Sequence, residues 1–219
     1  MAIRLLIADD HKLFRQGLIS LMKTREDIVQ VVGEAKTGSE AVLLAEKLKP
    51  DIVLLDIYMP DKNGLQAARD IKAHSPEVNI VMLTSSEDDD HLTEAVDIGV
   101  SGYLLKNLDA EELFDLLDGI RQGEAAITRS MASRLFKIFA HSQERDQGCE
   151  DLTDREIDVL RLVTRGLSNS DIADELCVSI NTVKTHMKNI FNKLGLENRT
   201  QVVAYAFKSG IISGEKNLL

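Results

Sequence analysis

Five polar residues in the first half of the sequence each follow a short apolar run. They are Asp9, Asp10, Asp56, Thr84 and Lys106. Carboxylates held close together repel one another unless a cation neutralises them, and Mg²⁺ accepts such oxygen ligands together with a phosphate group. An aspartate can also attack a phosphoryl group, while a lysine and a hydroxyl contact its oxygens. The residue types therefore suit a phosphoryl-transfer site, provided that the fold brings them together.

The segments around these residues alternate between strand and helix patterns. Strands are predicted near 3–9, 28–33, 51–56, 79–84 and 101–105, and helices near 12–24, 38–49, 62–74, 88–98 and 109–122. This succession of βα units predicts an α/β fold with a doubly wound parallel sheet. The carboxyl ends of all strands in such a sheet lie at one edge, where ligands bind. The polar residues are therefore expected to meet at that edge.

The aspartates that follow apolar runs and the lysine also have simpler interpretations. A lone aspartate after an apolar run is most often the first polar residue of a loop, and Lys106 can form a plain ion pair with a nearby aspartate. Recurrence of the same pattern at several strand ends favours a shared site over these alternatives. Gly64, in "DKNG", is expected to serve loop geometry or close packing.

Charge divides the 219 residues into two parts. The formal charge is −10, with 26 acidic and 17 basic residues in 1–149 but 10 and 9 in 150–219, so the acidity belongs to the first part. No run approaches the roughly 20 apolar residues of a membrane helix, and the chain starts directly with a strand pattern, which predicts a cytoplasmic protein without membrane contact. Cys149 and Cys177 are expected to be reduced thiols.

The strand pattern ends near residue 122, which sets the predicted domain boundaries. Residues 1–122 form the first domain, 123–150 a partly helical linker and 151–214 a small all-α domain. The polar stretch 141–151 is typical of a linker. The amphipathic stretch 128–140 is expected to be helical, and its role stays open.

Helix start and stop signals recur in the second domain. Thr153 and Glu156 form a capping box, and Gly166 ends that first helix. A short helix near 168–176, a turn at "CVS" and a longer helix near 180–194 follow. A short helix, a tight turn and a longer helix make a helix-turn-helix, in which the longer helix enters the major groove of DNA.

The longer helix has one apolar face and one basic face. The apolar stripe consists of Val183, Met187, Ile190, Phe191 and Leu194. The opposite face has no acid between residues 180 and 195; its members are Thr182, Lys184, Thr185, Lys188, Asn189, Asn192 and Lys193. A solvated face usually mixes both signs of charge, so this bias favours contact with DNA phosphates over a plain solvated face.

Individual positions on the basic face suit different parts of DNA. Lys184 and Lys188 lie one turn apart beside Thr185. Lysine donates to guanine O6 and N7, while a threonine methyl group contacts the methyl group of thymine. Thr182 and Asn189 suit phosphate oxygens, which position a helix without specifying sequence.

Residues 1–122 resemble the receiver domain of bacterial two-component response regulators. The acidic pair, "LLDIYMPDKNG", "MLTSS" and "GYLLK" stand in the order of that family. The resemblance implies that Asp56 accepts a phosphoryl group from a sensor histidine kinase and that Lys106 pairs with it. The implied ligands of Mg²⁺ are Asp9, Asp10, Asp56 and the backbone carbonyl of Tyr58. Asn107 stands where many receivers have a proline after the lysine.

The resemblance also implies that Thr84 and Tyr103 form a switch pair. A phosphoryl group at Asp56 offers strong acceptors, so the Thr84 hydroxyl can move toward it. Tyr103 can then swing into the vacated space and reshape the face around 88–105. The alternative for Tyr103 is a half-buried strand residue with its hydroxyl in water.

The second domain resembles the LuxR-type DNA-binding domain, through "TDREIDVLRLVTRGLSNSDIADEL" and "TVKTHMKNIFNKLGL". Together the two resemblances indicate a response regulator of the NarL/FixJ type. They imply a transcription regulator, not an enzyme, that binds double-stranded DNA through Lys184, Thr185 and Lys188. They also imply a homodimer when active, with dimer contacts near 199–208, and RNA polymerase as a partner.

Phosphorylation-controlled DNA binding is the predicted function, in which the unphosphorylated receiver either covers the recognition helix or fails to dimerise. A metal-dependent phosphohydrolase is a second hypothesis, but the sequence has no extra lid or substrate-binding insertion, and the helix-turn-helix would be unexplained. A receiver controlled by protein contacts without phosphate is a third hypothesis. The complete set of site residues argues against it.

Overall fold

The computed structural model describes residues 2–85, 88–124, 126–127, 131, 134–135, 137–138 and 152–209. They belong to two compact units, Met1–Gln122 and Gly123–Leu219. Among the described helices, none is both long enough and apolar enough to cross a membrane. The stretch 128–140 is described only in part, and the described residues in it are helical, whereas Cys149 lies outside the described residues.

The first unit is a parallel sheet in which each strand is followed by a helix. The strands are β1 (Ile3–Ala8), β2 (Val29–Ala35), β3 (Ile52–Asp56), β4 (Asn79–Thr84) and β5 (Gly102–Leu105). The helices are α1 (Lys12–Met22), α2 (Gly38–Leu48), α3 (Gly64–His74), α4 (Asp89–Ile98) and α5 (Ala110–Arg121), with a 3-10 turn at Lys23–Arg25. The strand order is β2-β1-β3-β4-β5, and these neighbours pair in parallel. The α/β prediction is confirmed, and every strand and helix lies within two residues of its predicted bounds.

The centre of the sheet is apolar at successive positions because both of its faces are covered. β3 is buried along its whole length, and Leu5, Leu6 and Ile7 of β1 are fully buried. A strand covered on both faces must be apolar throughout, which explains the continuous apolar runs in place of an alternating pattern. The exception is the last residue of β3, Asp56, a carboxylate that is 1% exposed.

The ends of β3, β4 and β5 are in register. Asp56 lies opposite Leu83, the residue before Thr84. Thr84 in turn lies opposite Leu105, the residue before Lys106. The polar residues at these strand ends therefore reach the same edge of the sheet, as the sequence pattern predicts.

The described part of the second unit is helical apart from a two-residue strand, β6 (Ala126–Ile127). The helices with described bounds are α6 (Asp154–Thr164), α7 (Asn169–Glu175), α8 (Ile180–Leu194) and α9 (Arg199–Lys208). Thr153 and Glu156 form the predicted capping box of α6. The short α7, the turn and the longer α8 confirm the helix-turn-helix prediction.

Local backbone geometry sets the ends of α8. Ser179 is its N-cap and accepts a hydrogen bond from the Thr182 N–H at 3.0 Å. Gly195 ends the helix in the left-handed region with a φ of 65°, as glycine readily does. Cys177, in the turn before α8, is also left-handed with a φ of 53°, and its thiol is free and exposed.

The apolar stripe of α8 faces the core of the second unit. Val183, Met187 and Ile190 are buried, and Phe191 and Leu194 are half-buried. The stripe thus fixes the rotation of α8 about its axis and leaves the opposite face to solvent.

Candidate functional site

A largely buried lysine joins two buried carboxylates at the edge of the sheet. Lys106 Nζ lies 2.8 Å from Asp9 Oδ2 and 2.8 Å from Asp56 Oδ2. Both aspartate side chains are buried, and 14% of the lysine side chain is exposed. Three predicted site residues therefore meet. The ion pair that was the simpler interpretation of Lys106 is present, as one part of this cluster.

Asp10 and His11 form the solvent side of the same cluster. His11 Nδ1 lies 2.7 Å from Asp10 Oδ1 and 3.8 Å from Asp56 Oδ2, and the His11 backbone N–H donates to Asp9 Oδ1 at 2.7 Å. One ligand atom from each of these four residues lies within 4.8 Å of the others. The three carboxylates are a donor set that suits Mg²⁺. His11 is not among the predicted site residues.

Burial and the lysine act in opposite directions on the acidity of Asp56. Burial raises the pKa of Asp56 above its ordinary value, because the hydrogen bond and the charge of Lys106 lower it by less. Burial lowers the pKa of Lys106, but its hydrogen bonds to Asp56 and Asp9 more than compensate, so this pKa lies above its ordinary value. Lys106 therefore keeps its proton and supplies a fixed positive charge to the site.

Two residues of α1 support the cluster. Arg15 is 8% exposed; it donates to the Asp9 carbonyl at 2.6 Å and pairs with Glu34 at 3.0 Å. The Phe14 ring centroid lies 4.9 Å from Lys106 Nζ, within range of a cation–π interaction. Neither residue is in the sequence prediction. Their only signal is their position in the first turn of a helix directly after the acidic pair.

The loop after β3 packs directly on the backbone of Asp56. The Gly64 N–H donates to the Ile57 carbonyl at 2.8 Å. A Cβ atom on Gly64 would lie 2.0 Å from the Asp56 carbonyl oxygen, which leaves no room for a side chain. Close packing therefore requires glycine at this position, as the sequence analysis expects. The position of Asp56 depends on this backbone contact.

Thr84 and Tyr103 lie on one face of the sheet, and both are buried. Tyr103 is opposite Met82, two residues before Thr84, so the side chains of Tyr103 and Thr84 point to the same side. Thr84 is 0% exposed and Tyr103 is 1% exposed. The alternative that places the Tyr103 hydroxyl in water is wrong, because β5 is buried from Gly102 to Leu104. Tyr103 is therefore buried in the unphosphorylated chain.

Tyr58 lies beside the cluster, two residues after Asp56. Its N–H donates to Asp56 Oδ1 at 3.4 Å, and 46% of the residue is exposed. Its ring meets the ring of His91, on α4, edge-on with 5.6 Å between centroids, and its hydroxyl lies 3.4 Å from His91 Nδ1. Tyr58 thus links the loop after β3 to α4. The role of its carbonyl as a metal ligand stays a prediction.

The basic face of α8 is open to solvent. Lys184, Thr185, Lys188 and Asn189 are exposed, and Thr182 is half-buried. The predicted DNA contacts therefore lie on one accessible surface, apart from the partly covered Thr182.

The side-chain hydroxyls of Thr182 and Thr185 both form hydrogen bonds at the start of α8. Thr182 Oγ1 lies 2.9 Å from the hydroxyl of the N-cap Ser179, so this hydroxyl belongs to the start of the helix. Thr185 Oγ1 donates to the Asn181 carbonyl at 2.9 Å. The donor of the Thr185 hydroxyl is therefore used within the helix, and its methyl group is left free for an apolar contact such as one with a thymine methyl group.

Lys193 is turned toward α6, although the sequence pattern places it on the basic face. Its Nζ lies 2.7 Å from Glu156 Oε2, and this carboxylate also accepts from the Thr153 N–H at 2.8 Å and hydroxyl at 3.0 Å. Burial raises the pKa of Glu156, but the hydrogen bonds from Lys193 and Thr153 outweigh it, so the pKa lies below its ordinary value. The cationic end of Lys193 is therefore engaged by a buried carboxylate within the second unit, although the residue itself is exposed.

Arg199 is buried inside the second unit and holds α7 and α9 together. It is 5% exposed, and it donates to Asn169 Oδ1 at 2.8 Å and to the Leu167 carbonyl at 2.5 Å. Burial lowers the pKa of Arg199 to about 10, although the charge of Glu124 acts in the opposite direction. Glu124 also accepts from the Asn169 N–H at 2.8 Å. Arg199 is therefore not the surface residue that a dimer contact at this end of α9 requires.

Two family models match this chain. The response regulator receiver domain matches residues 5–118, and the bacterial regulatory proteins of the luxR family match residues 150–206. The receiver model alone covers more than half of the 219 residues. The chain belongs to the LuxR-type response regulators. It combines a receiver with a LuxR-type DNA-binding domain, and control by phosphorylation is general in this family.

Similar proteins match this response regulator over almost its whole length. The response regulator protein VraR of Staphylococcus epidermidis is 40% identical over 212 residues, covering 97% of this chain and all of the relative. RcsB of Salmonella typhimurium is 28% identical with a TM-score of 0.58, covering 93% of this chain and 97% of that chain. A structure of two RcsB dimers bound to two parallel DNAs is 27% identical with a TM-score of 0.59, covering 95% and 99%.

The receiver of this response regulator has the acidic pocket that is typical of Mg²⁺ sites in its family. Asp9, Asp10 and Asp56 surround it, with Lys106 at its inner end. Three carboxylates meet here beside the single positive charge of Lys106, so this set of oxygen donors fits Mg²⁺.

Replacing Gly64 with alanine is expected to lower the free energy of unfolding of the receiver by about 2 kcal/mol or more, because the new methyl group must displace the Asp56 backbone. The rate of Asp56 phosphorylation should fall as well. Urea unfolding and phosphorylation kinetics measure the two effects. Gly17→Ala is the matched control, since a Cβ atom there has nothing within 4 Å. Equal stability of the two variants would contradict the close packing of Gly64.

Proposed function

We propose that a sensor histidine kinase transfers a phosphoryl group to Asp56 and that this modification controls DNA binding by the second unit. The observation that carries the proposal is the position of Lys106 Nζ, 2.8 Å from the carboxylates of both Asp9 and Asp56. In the transfer, an Asp56 oxygen forms the new bond to phosphorus while the P–N bond to the kinase histidine breaks. The electron pair of that bond returns to the imidazole. Lys106 then neutralises charge on the phosphoryl oxygens.

Asp9, Asp10, Asp56 and the Tyr58 carbonyl are the proposed holders of Mg²⁺. When bound, the ion supplies positive charge that neutralises the phosphoryl group during transfer. His11 keeps Asp10 in place through its 2.7 Å contact and does not need to bind the ion itself. The chain's own contribution is the fixed geometry of the carboxylates.

Thr84 and Tyr103 are the proposed switch residues. A phosphoryl group on Asp56 gives the Thr84 hydroxyl a strong acceptor. Because Tyr103 is already buried, phosphorylation needs to stabilise this arrangement and does not need to create it. A modification that favours one of two existing arrangements shifts their populations. Phosphorylation should therefore increase the share of molecules with Tyr103 inside, and the face formed by α4 and β5 would pass the change to the dimerisation surface.

The proposed active form is a homodimer that binds double-stranded DNA and acts with RNA polymerase in the cytoplasm. Residues 150–219 carry 10 acidic and 9 basic residues, so one copy gains little from general charge attraction to DNA. Two copies on paired half-sites raise the effective concentration of the second. Lys184, Thr185 and Lys188 are the proposed base contacts, with Thr182 and Asn189 near phosphates.

Intact mass after incubation with Mg²⁺ and a small phosphodonor tests the phosphoryl acceptor. One added phosphoryl group is expected on the wild type and none on Asp56→Asn. Asp61→Asn is the matched control, because Asp61 is an exposed aspartate in the adjacent loop whose left-handed backbone, with a φ of 72°, asparagine adopts easily. Phosphorylation of Asp56→Asn would overturn the assignment. So would a lack of phosphorylation on the wild type when the donor is known to be active.

Replacing Lys184 with alanine is expected to weaken binding to a specific duplex about tenfold, with a smaller loss on a random duplex, because a good base contact contributes about 1–3 kcal/mol of discrimination. Arg161→Ala, on α6, removes the same charge from an exposed position outside α8 and should have little effect. Fluorescence anisotropy at fixed salt measures both. Equal losses on the specific and the random duplex would show that Lys184 contacts phosphate and not a base.

A further inference from the structure

Asn181 has an uncommitted side chain in the first turn of α8. The residue is exposed, and within the described part of the chain its side-chain amide has no hydrogen-bond partner. The neighbouring hydroxyls of Ser179 and Thr182 lie 2.9 Å apart and hydrogen-bond to each other. The amide of Asn181 is therefore a polar group that this turn leaves entirely available to a partner.

Helical spacing places Asn181 in the same row as the proposed base contacts. It lies three residues before Lys184, four before Thr185 and seven before Lys188, and side chains at these spacings share one face. All four residues are exposed. The Thr185 hydroxyl also donates to the Asn181 carbonyl at 2.9 Å, which fixes these two residues one turn apart. Asn181 thus extends the exposed row to the beginning of the helix.

The beginning of a recognition helix is the part that reaches the base edges, and the amide group matches one base in particular. Adenine presents an N7 acceptor and an N6 donor side by side in the major groove. An asparagine amide has one acceptor and two donors in a plane, so it can bind both atoms at once. Lysine has donors only and suits guanine, which offers two acceptors.

We propose that Asn181 reads an adenine in each half-site, with its side-chain oxygen accepting from N6 and its side-chain nitrogen donating to N7. This inference rests on the proposed DNA-binding function. It adds a second base specificity to the helix: the lysines favour guanine, and Asn181 favours the adenine of an A·T pair at the position nearest the start of α8.

The test uses the full-length phosphorylated protein and a duplex that the wild type has selected from a random-sequence library. Each adenine of the selected half-site is replaced in turn by 7-deazaadenine, which keeps base pairing but lacks the N7 acceptor. At one adenine per half-site, the wild type is expected to lose about tenfold in affinity. Asn181→Ala is expected to bind the unmodified duplex more weakly than the wild type by a similar factor. Replacing that adenine should not lower the affinity of this variant any further.

Asn192→Ala is the matched control, because Asn192 is an exposed asparagine near the other end of α8. This variant should keep the full dependence on N7. Thermal melting and affinity for a random duplex show that both variants are folded. Equal losses for the wild type and Asn181→Ala at every adenine would overturn the inference and leave the proposed function intact. Failure of the wild type to enrich any sequence would overturn both.

Discussion

Replacing Lys106 with methionine is expected to lower the free energy of unfolding of the receiver by about 3 kcal/mol in buffer without Mg²⁺. The change leaves two buried carboxylates, Asp9 and Asp56, without the ammonium group that both contact at 2.8 Å. Saturating Mg²⁺ should restore more stability to the variant than it adds to the wild type, since the ion then takes over the neutralisation. Urea unfolding followed by hydrogen-exchange mass spectrometry reports on each unit separately.

Lys62→Met is the matched control for this prediction. Lys62 pairs with Asp70 near the surface, where 31% of the lysine side chain and 41% of the aspartate side chain are exposed. Its replacement is expected to change stability by no more than about 0.5 kcal/mol. If Lys106→Met were as stable as Lys62→Met without Mg²⁺, the buried ion pair would not have the role assigned to it. In addition, Lys106→Met should gain no DNA affinity on phosphorylation.

Replacing Glu156 with alanine is expected to destabilise the DNA-binding unit by about 2–3 kcal/mol at neutral pH. The change removes the cap of α6, which is made with Thr153, and the partner of Lys193 at the end of α8. Because the pKa of Glu156 is lowered in the folded chain, its contribution is complete above the ordinary pKa of a glutamate. The contribution is lost as the pH falls through the lower, folded-state pKa.

The difference in stability between the wild type and Glu156→Ala should therefore shrink on acidification below about pH 4. Unfolding of both proteins in urea over a pH series measures it. Glu175→Ala serves as the control, since Glu175 is exposed at the end of α7 and should show neither the loss nor the pH dependence. A difference that stays constant with pH would mean that the ionised carboxylate of Glu156 is not what stabilises the unit.

The fold was predictable because its strands and helices have distinct sequence patterns. The interiors of β3 and β4 are continuous apolar runs, as expected for strands covered on both faces, and helical spacing fills the segments between the strands. Capping signals were as informative in the second unit, where the Thr153–Glu156 box and Gly195 mark the start of α6 and the end of α8. Bounds differed by one or two residues at the ends of several elements, as for β2, which was predicted at 28–33 and is observed at Val29–Ala35.

The residues of the receiver site were predictable when they stand at strand ends, and not otherwise. The parallel sheet itself brings Asp56, Thr84 and Lys106 together. His11 and Arg15 could not be predicted, because their contacts depend on how the start of α1 is oriented about the helix axis. A shift of the helix start by one residue would turn both side chains away from the cluster. The burial of Tyr103 could not be predicted either, because a tyrosine in a strand suits either a fully buried or a partly exposed position.

Charged residues that act inside the second unit are the hardest to recognise from sequence. Lys193 and Arg199 look like surface cations, because most lysines and arginines are exposed. Each is instead held by a specific acceptor, the Glu156 carboxylate for Lys193 and the Leu167 carbonyl for Arg199. Such acceptors are distant in sequence, so the pattern of one helix does not reveal them.

The contact between Gly64 and the Asp56 backbone has an evolutionary consequence. The phosphoryl acceptor is positioned by main-chain atoms at both ends of the loop, and the loop side chains at Tyr58, Pro60 and Asp61 are exposed. The side chains at Tyr58 and Pro60 can change without touching the contact that holds the acceptor, whereas the left-handed backbone at Asp61, with a φ of 72°, favours asparagine or glycine as its replacement. Substitution at the exposed positions therefore offers a route to new surface chemistry around the acceptor, and to new kinase partners, that leaves the position of Asp56 unchanged.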